Sequence, residues 1–241
     1  MKRNFLSIRT LMIAAGSILL IGFLLTACNK NLDTGNNNVA VSRLMAFNLA
    51  PDKNVIGVAI DNNSLTSQPI NYSNYTGFYI NVYPGQRQLG AFVPNADSLF
   101  TKSSIVLDTS KYYSLFVIGA NGSYKNVIVK DNFDSIPASS NQSFVRYINA
   151  VPDSINPLAV KVSAGGSNVV NENAAFGTVS GFVAVPPGDI TVDISSDASV
   201  SSNKVLTLEA KKIYTILLIG QPGATDAAKQ VQIRYISNGT L

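Results

Sequence analysis

The side chains that most often carry out chemistry in proteins are scarce in this sequence. It has 241 residues with no His, no Trp and a single cysteine, Cys28. Without His, the Ser-His-Asp and Cys-His arrangements and His-ligated zinc are excluded. Carboxylate, Lys, Tyr or Ser-Lys chemistry remains, but no spacing favours any of them, and the two carboxylates of a glycosidase cannot be identified among the 14 acidic residues. We therefore expect a protein that is not an enzyme and uses no cofactor.

The N-terminus combines charge and hydrophobicity in the order of a secretory signal. A basic start, residues 1–10, precedes an apolar run at residues 11–25. Leu25-Thr26-Ala27-Cys28 follows and resembles the lipobox of bacterial lipoproteins, in which the Cys is acylated and the signal peptide, here residues 1–27, is removed. The resemblance implies anchoring to a membrane through lipid on Cys28, because two or three acyl chains hold a protein stably. An uncleaved membrane helix is the alternative, but the apolar run is short for a span.

The residues after the Cys bear on location. Residues 28–38 are polar and lack periodicity, which predicts a flexible tether. Asn29 is not the Asp that retains some Gram-negative lipoproteins at the inner membrane, so we expect the outer membrane of a Gram-negative bacterium, on either its surface or its periplasmic face. Without residues 1–27, the formal charge falls from +4 to +1 and no basic cluster remains. Nucleic acid is therefore not an expected partner.

The rest of the chain contains an internal duplication. Leu107 to Gly119 (LDTSKYYSLFVIG) and Leu208 to Gly220 (LEAKKIYTILLIG) lie 101 positions apart and share Leu, Lys, Tyr and a final Ile-Gly. Apolar runs are short, rich in β-branched and aromatic residues, and show no helical period. The pattern predicts two all-β domains, and Pro, Ser and Asn mark a linker between them. The predicted bounds are 39–136 for the first domain, 137–142 for the linker and 143–241 for the second domain.

Four stretches of the second half carry a family resemblance: residues 146–153 (RYINAVPD), 176–182 (FGTVSGF), 187–192 (PGDITV) and 208–220. They resemble the bacterial domain-of-unknown-function family 4397. The first half resembles it more weakly, because Met45 stands where the second half has Arg146. The resemblance implies two tandem immunoglobulin-like or transthyretin-like β-sandwich domains. It implies no catalytic residues.

A stretch rich in Tyr and Asn supplies the candidate ligand-binding residues, Tyr72, Tyr75, Tyr79 and Tyr83. Exposed aromatic rings can stack on sugar rings while their hydroxyl groups stay hydrated, so the stretch predicts a glycan site. The alternative is that alternate aromatic residues cover the sandwich core and its flank. A glycan site requires the tyrosines to form an exposed platform, whereas the alternative places them in the core.

Two further patterns concern modification and metal binding. Asp-Ser-apolar triplets place Ser98, Ser135 and Ser154 in predicted loops and resemble the acceptor pattern for periplasmic O-glycosylation in one Gram-negative group. Asp-Ser is also ordinary turn chemistry. Asp131 and Asp134 form only a weak carboxylate pair, and no stretch has the closely spaced carboxylates of a calcium loop, so no metal site is expected.

These features predict a lipid-anchored cell-envelope protein that acts as a binding, adhesion or structural module, with an envelope protein or a glycan as its partner. The alternative is a glycan-binding module of a surface carbohydrate-capture system. Since the chain has no second thiol, it cannot form an internal disulfide, and its stability is expected to come from two sandwich cores.

Overall fold

The computed structural model describes residues 39–96, 98–152, 157–196 and 200–241. The predicted signal peptide, Cys28 and the tether lie outside these residues. The described residues contain 18 β-strands and two short 3₁₀ turns, Phe133–Ser135 and Ala227–Lys229, with no α-helix. We find in them no helix with the length and hydrophobicity of a membrane span. The all-β fold with two sandwiches is confirmed.

The first sandwich consists of two sheets. One has the strand order β10-β9-β1-β5, with β6 also paired to β1, and the other has the order β3-β2-β7-β8, with β4 also paired to β2. Strands β1 and β9 run parallel, and the other pairs are antiparallel. The strands are β1 (Ser42–Asn48), β2 (Val55–Ile60), β3 (Asn63–Ser64), β4 (Ile70–Asn71), β5 (Asn74–Tyr75), β6 (Ile80–Val82), β7 (Gly85–Phe92), β8 (Leu99–Leu107), β9 (Tyr112–Ala120) and β10 (Ser123–Asp131).

The second sandwich repeats this plan. Its sheets have the orders β14-β11-β17-β18 and β13-β12-β15-β16, and β11 runs parallel to β17 as β1 does to β9. The strands are β11 (Ser143–Asn149), β12 (Leu158–Ala164), β13 (Ser167–Ala174), β14 (Val183–Val185), β15 (Gly188–Ser196), β16 (Val200–Leu208), β17 (Lys212–Ile219) and β18 (Gln232–Thr240).

Polar residues that the two halves share hold equivalent strands in place. The Tyr113 hydroxyl accepts a hydrogen bond from the Asp108 main-chain N–H at 2.8 Å, and the Tyr214 hydroxyl accepts one from the Glu209 N–H at 3.0 Å. This contact is similar to the tyrosine corner of immunoglobulin-like sandwiches. The repeated Tyr is therefore explained by the fold.

The glycine that ends each duplicated stretch is also structural. Gly119 and Gly220 have φ angles of +117° and +110°. A Cβ atom on Gly119 would lie 2.1 Å from the Ser123 carbonyl oxygen, and one on Gly220 would lie 2.2 Å from that of Gln230. Glycine alone fits both the backbone conformation and the close approach of the neighbouring strand.

A third apolar cluster joins the two sandwich cores. In β1, Leu44 and Ala46 point into the first core, whereas Met45 and Phe47 point to the opposite face, where they belong to a cluster that also contains Ile148 and Leu217 of the second sandwich. The central strands β1, β9, β11 and β17 are thus buried on both faces. Residues Ala40 to Leu241 accordingly form one compact unit.

Candidate functional sites at the junction and at the first sandwich's edge

A buried ion pair crosses the junction between the sandwiches. Asp131, at the end of β10, contacts the guanidinium of Arg146 in β11, and their side chains are 0% and 3% exposed. Ser114 donates a hydrogen bond of 2.8 Å to the Asp131 carboxylate and accepts one of 2.9 Å from Arg146. The Tyr79 hydroxyl donates to the same carboxylate at 2.6 Å. Each charge is therefore paired and hydrogen-bonded, as burial requires.

Further polar contacts extend this network into the second sandwich. Arg146 donates from Nε to the Thr215 hydroxyl at 3.0 Å, and that hydroxyl donates to the Asn238 side chain at 2.6 Å. The guanidinium carbon lies 4.6 Å from the centre of the Phe182 ring, in cation–π geometry. Burial raises the pKa of Tyr79 well above its usual value, and the neighbouring carboxylate adds to the rise, so the phenol stays a donor. The network fixes strands of both sandwiches to each other, and a depression of about 370 Å³ that includes Arg146 and Phe182 in its lining opens beside it.

The four candidate tyrosines separate into two environments. Tyr72, Tyr75 and Tyr79 are half-buried and pack against the apolar cluster that joins the two sandwich cores. Tyr83 is 66% exposed. Burial raises the pKa of Tyr72 to about 12, with Arg234 acting in the opposite direction. The structure does not bring the four residues together on one exposed platform. Tyr83 is the member whose ring a ligand could reach.

An open groove lies where the two sheets of the first sandwich end. In the second sandwich the equivalent sheet edge is formed by β13, which pairs with β12 from Leu158 to Ala164. In the first sandwich the equivalent strand, β3, pairs with β2 at only two positions before the chain departs. The difference leaves two adjoining depressions of about 290 and 400 Å³ that share Leu65 and Ile80. We refer to both together as the edge groove.

A fixed pair of opposite charges lines the first of these depressions. Arg87 donates from Nη1 to the Asp61 carboxylate at 3.0 Å, from Nε to the Tyr83 carbonyl at 2.9 Å and from Nη2 to the Pro84 carbonyl at 2.6 Å. Asp61 also accepts a 2.9 Å hydrogen bond from the Gln88 N–H, which is the main reason that the pKa of its carboxyl is lowered. Both side chains are held by the main chain and remain partly accessible.

An exposed aromatic ring lines each depression. Tyr83 lines one and Phe78 the other. Each is 66% exposed, the highest value among the large apolar side chains that the structure describes as exposed. Tyr and Phe are enriched at protein interaction surfaces, so two such rings beside one groove are candidate contacts for a ligand.

The remaining sequence predictions fall on loops. Ser98 is exposed before β8, and Ser135 is exposed in the 3₁₀ turn, where its hydroxyl donates to the Asn132 carbonyl at 2.7 Å. Ser154 lies outside the described residues, so O-glycosylation stays a prediction. Asp131 and Asp134 do not form a pair, because Asp134 contacts Lys111 instead. Within the described part of the chain, no group of three or more acidic residues could hold a metal ion.

The fold and these sites define a class: a tandem β-sandwich protein whose two repeats share one buried junction. The chain belongs to the family called Domain of unknown function (DUF4397), whose sequence profile matches residues 42–156 and 143–234. This confirms the resemblance that the repeated stretches indicated. No curated protein matches the chain.

Two solved structures show weak similarity. One, from Bacteroides eggerthii, carries a provisional assignment to cell adhesion; it is 10% identical, with a TM-score of 0.23, over 82% of this chain and 95% of that one. The other is a beta-glycosidase from Bacteroides vulgatus, 12% identical with a TM-score of 0.17, over 70% of this chain and 25% of that one. Both TM-scores are low, so neither structure informs the function of this chain.

Proposed function

We propose that the mature protein is a non-catalytic, lipid-anchored cell-envelope protein that acts as a binding or adhesion module. The observation that carries the proposal is the shared junction, with its apolar cluster and its buried Asp131–Arg146 pair. Because both sandwiches are fixed to each other, the edge groove is presented on a rigid body. Rigid presentation lowers the entropic cost of binding a partner.

The hydrogen bonding of three accessible carboxyl groups is consistent with a non-catalytic role. A general acid at neutral pH needs a raised pKa. Asp61, Asp108 and Asp134 instead have carboxyl pKa values below the usual range, mainly because of hydrogen bonds from the Gln88 main chain, Lys130 and Lys111 respectively. Each carboxylate serves as an ion-pair partner on the surface.

The anchor part of the proposal rests on the lipobox-like sequence that ends at Cys28. It implies a protein held at the outer membrane by lipid, with residues 29–38 as a tether to the sandwiches. The partner is either an envelope protein or a glycan. A carbohydrate-capture module is the second candidate, and the exposed rings of Tyr83 and Phe78 at the edge groove favour it.

Metabolic labelling tests the anchor directly. We expect cells fed an alkyne derivative of palmitate to label the wild-type protein and leave the Cys28→Ser variant unlabelled, with the wild type in outer-membrane fractions. A wild-type chain that takes up no label, or that is recovered in a soluble fraction, would contradict the proposal. Protease treatment of intact cells, with lysed cells as the control, then decides the membrane face: digestion in intact cells means the surface.

A further inference from the structure

The edge groove lies beside an edge strand that is much shorter in the first repeat than its counterpart in the second. Strand β13 has eight residues and covers its side of the second sandwich. Strand β3 has two, after a hairpin turn at Asp61 and Asn62 with φ angles of +49° and +65°. The first repeat thus leaves open an edge that the second repeat covers with a long strand.

The groove carries no net charge of its own. Asp61 and Arg87 are the charged residues among the described residues that line it, and they neutralise each other. Asn81 and Gln68 are exposed, and no contact within the described chain engages their side-chain amides. The lining therefore offers planar groups that include both hydrogen-bond donors and acceptors, which suits a neutral, polar ligand.

Strand β2 offers a peptide little free main chain to pair with. The outer side of β2 is already engaged by β4 at Val55 and Ile56 and by β3 at Ala59 and Ile60. Val58 accepts a 2.7 Å hydrogen bond from the Leu65 N–H. Addition of a strand needs a row of unpaired main-chain groups, so a peptide is not expected to pair with β2.

We infer that the edge groove binds a neutral saccharide chain, with Tyr83 and Phe78 stacking on sugar rings and Asp61, Asn81 and Arg87 hydrogen-bonding to their hydroxyl groups. This inference rests on the proposed function of a binding module. A sugar ring presents C–H groups on its faces and hydroxyl groups around its rim. That surface matches exposed aromatic rings beside planar, preorganised polar groups. The two depressions share a wall, so neighbouring sugar units of one chain can occupy both.

Calorimetric titration of the full-length, detergent-purified protein tests the inference. The probes are a panel of neutral oligosaccharides with α- and β-linked hexoses and pentoses, with acidic oligosaccharides and unstructured peptides for comparison. We expect binding to at least one neutral probe. The double change Tyr83→Ala and Phe78→Ala should weaken it at least tenfold, and Asn81→Ala, which alters an exposed side chain only, should weaken it severalfold. Tyr235→Ala is the matched control, because Tyr235 is a partly exposed aromatic residue of the second sandwich, and it should leave affinity within twofold.

Three results would overturn the inference: no neutral probe binds, only acidic probes or peptides bind, or the groove variants bind as tightly as the wild type. These results leave palmitate labelling and membrane fractionation untouched, so failure of the saccharide site is distinguishable from failure of the anchored-module proposal. Circular dichroism of each variant confirms that a lost affinity reflects the groove and not a lost fold.

Discussion

Replacing Arg146 with Met would give the second repeat the residue that the first repeat has at the equivalent position, Met45. The change removes the cation that faces Asp131, whose side chain is fully buried. Removing one partner of a buried ion pair costs roughly 3–5 kcal/mol of unfolding free energy, since the remaining charge is left uncompensated. Asp131 would keep its hydrogen bonds from Ser114 and Tyr79. We therefore expect a loss of about 3 kcal/mol, at the lower end of that range.

A double-mutant cycle separates the ion pair from general damage to the junction. Asp131→Leu alone leaves the guanidinium without its anion and should cost a similar amount. Combining Asp131→Leu with Arg146→Met removes both charges, so the double variant should be more stable than the sum of the two losses predicts by about 2 kcal/mol or more. Lys212→Met is the control: it removes an exposed ion pair with Glu209 and should leave the unfolding midpoint nearly unchanged.

Urea unfolding of the full-length protein measures these changes. Circular dichroism follows the strands, and tyrosine fluorescence follows the side chains because the chain has no Trp. Hydrogen exchange should become faster in β9 and β17, because Ser114 and Thr215 on these strands accept hydrogen bonds from Arg146. A loss of less than about 1 kcal/mol in each single variant, or losses that simply add in the double variant, would show that the ion pair does not stabilise the junction.

Two smaller predictions follow from single residues. Gly119→Ala should lower the unfolding free energy by about 2 kcal/mol or more, because the new methyl group meets the Ser123 carbonyl at a backbone conformation that disfavours side chains; an unchanged urea midpoint would contradict this. Because the folded state raises the pKa of Tyr72 to about 12 from an ordinary value of 10.0, it favours the neutral phenol. That stabilisation is complete below pH 10 and is lost as the pH rises towards 12. Phenolate absorbance should therefore show late-ionising tyrosines in the wild type and fewer of them in Tyr72→Phe.

The fold could be predicted from the sequence because its signals are local and occur twice. The duplicated runs ending at Gly119 and Gly220 mark the same strand in each sandwich, and both glycines meet a steric requirement that only glycine satisfies. Asn48 and Asn149, which open the repeated turns, likewise donate their side-chain amides to main-chain carbonyls of Ile70 and Ala174. Each half therefore repeats the same side-chain contact at the start of its turn.

The junction could not be predicted, because nothing local distinguishes a strand covered by its own sheet partner from one covered by another domain. The continuous apolar run of β9 indicates burial on both faces without saying what covers the second face. Arg146 stands out against Met45 in the sequence, yet its partner Asp131 belongs to the preceding sandwich. A difference in length was the sequence signal for the edge groove. From the repeated Pro-Asp turn to the next matched stretch, Thr76 in the first half and Ser180 in the second, the second half has three more residues. The edge strand in this interval has two residues in the first half and eight in the second.

The first sandwich has a short edge strand on one sheet and a buried outer face on the other. An edge strand of two residues leaves the first sandwich with fewer ladder hydrogen bonds and less apolar burial on that side than its counterpart has. The opposite sheet of the same sandwich gains burial at the junction, where Phe47 and Phe116 are fully buried in a cluster that includes Ile148 and Leu217 of the second repeat. Burying an aromatic side chain contributes roughly 1.5–3 kcal/mol, which is comparable to what a few lost edge contacts would cost. The second repeat therefore stabilises the first on one face, and this allows the first to keep an open, accessible groove on another.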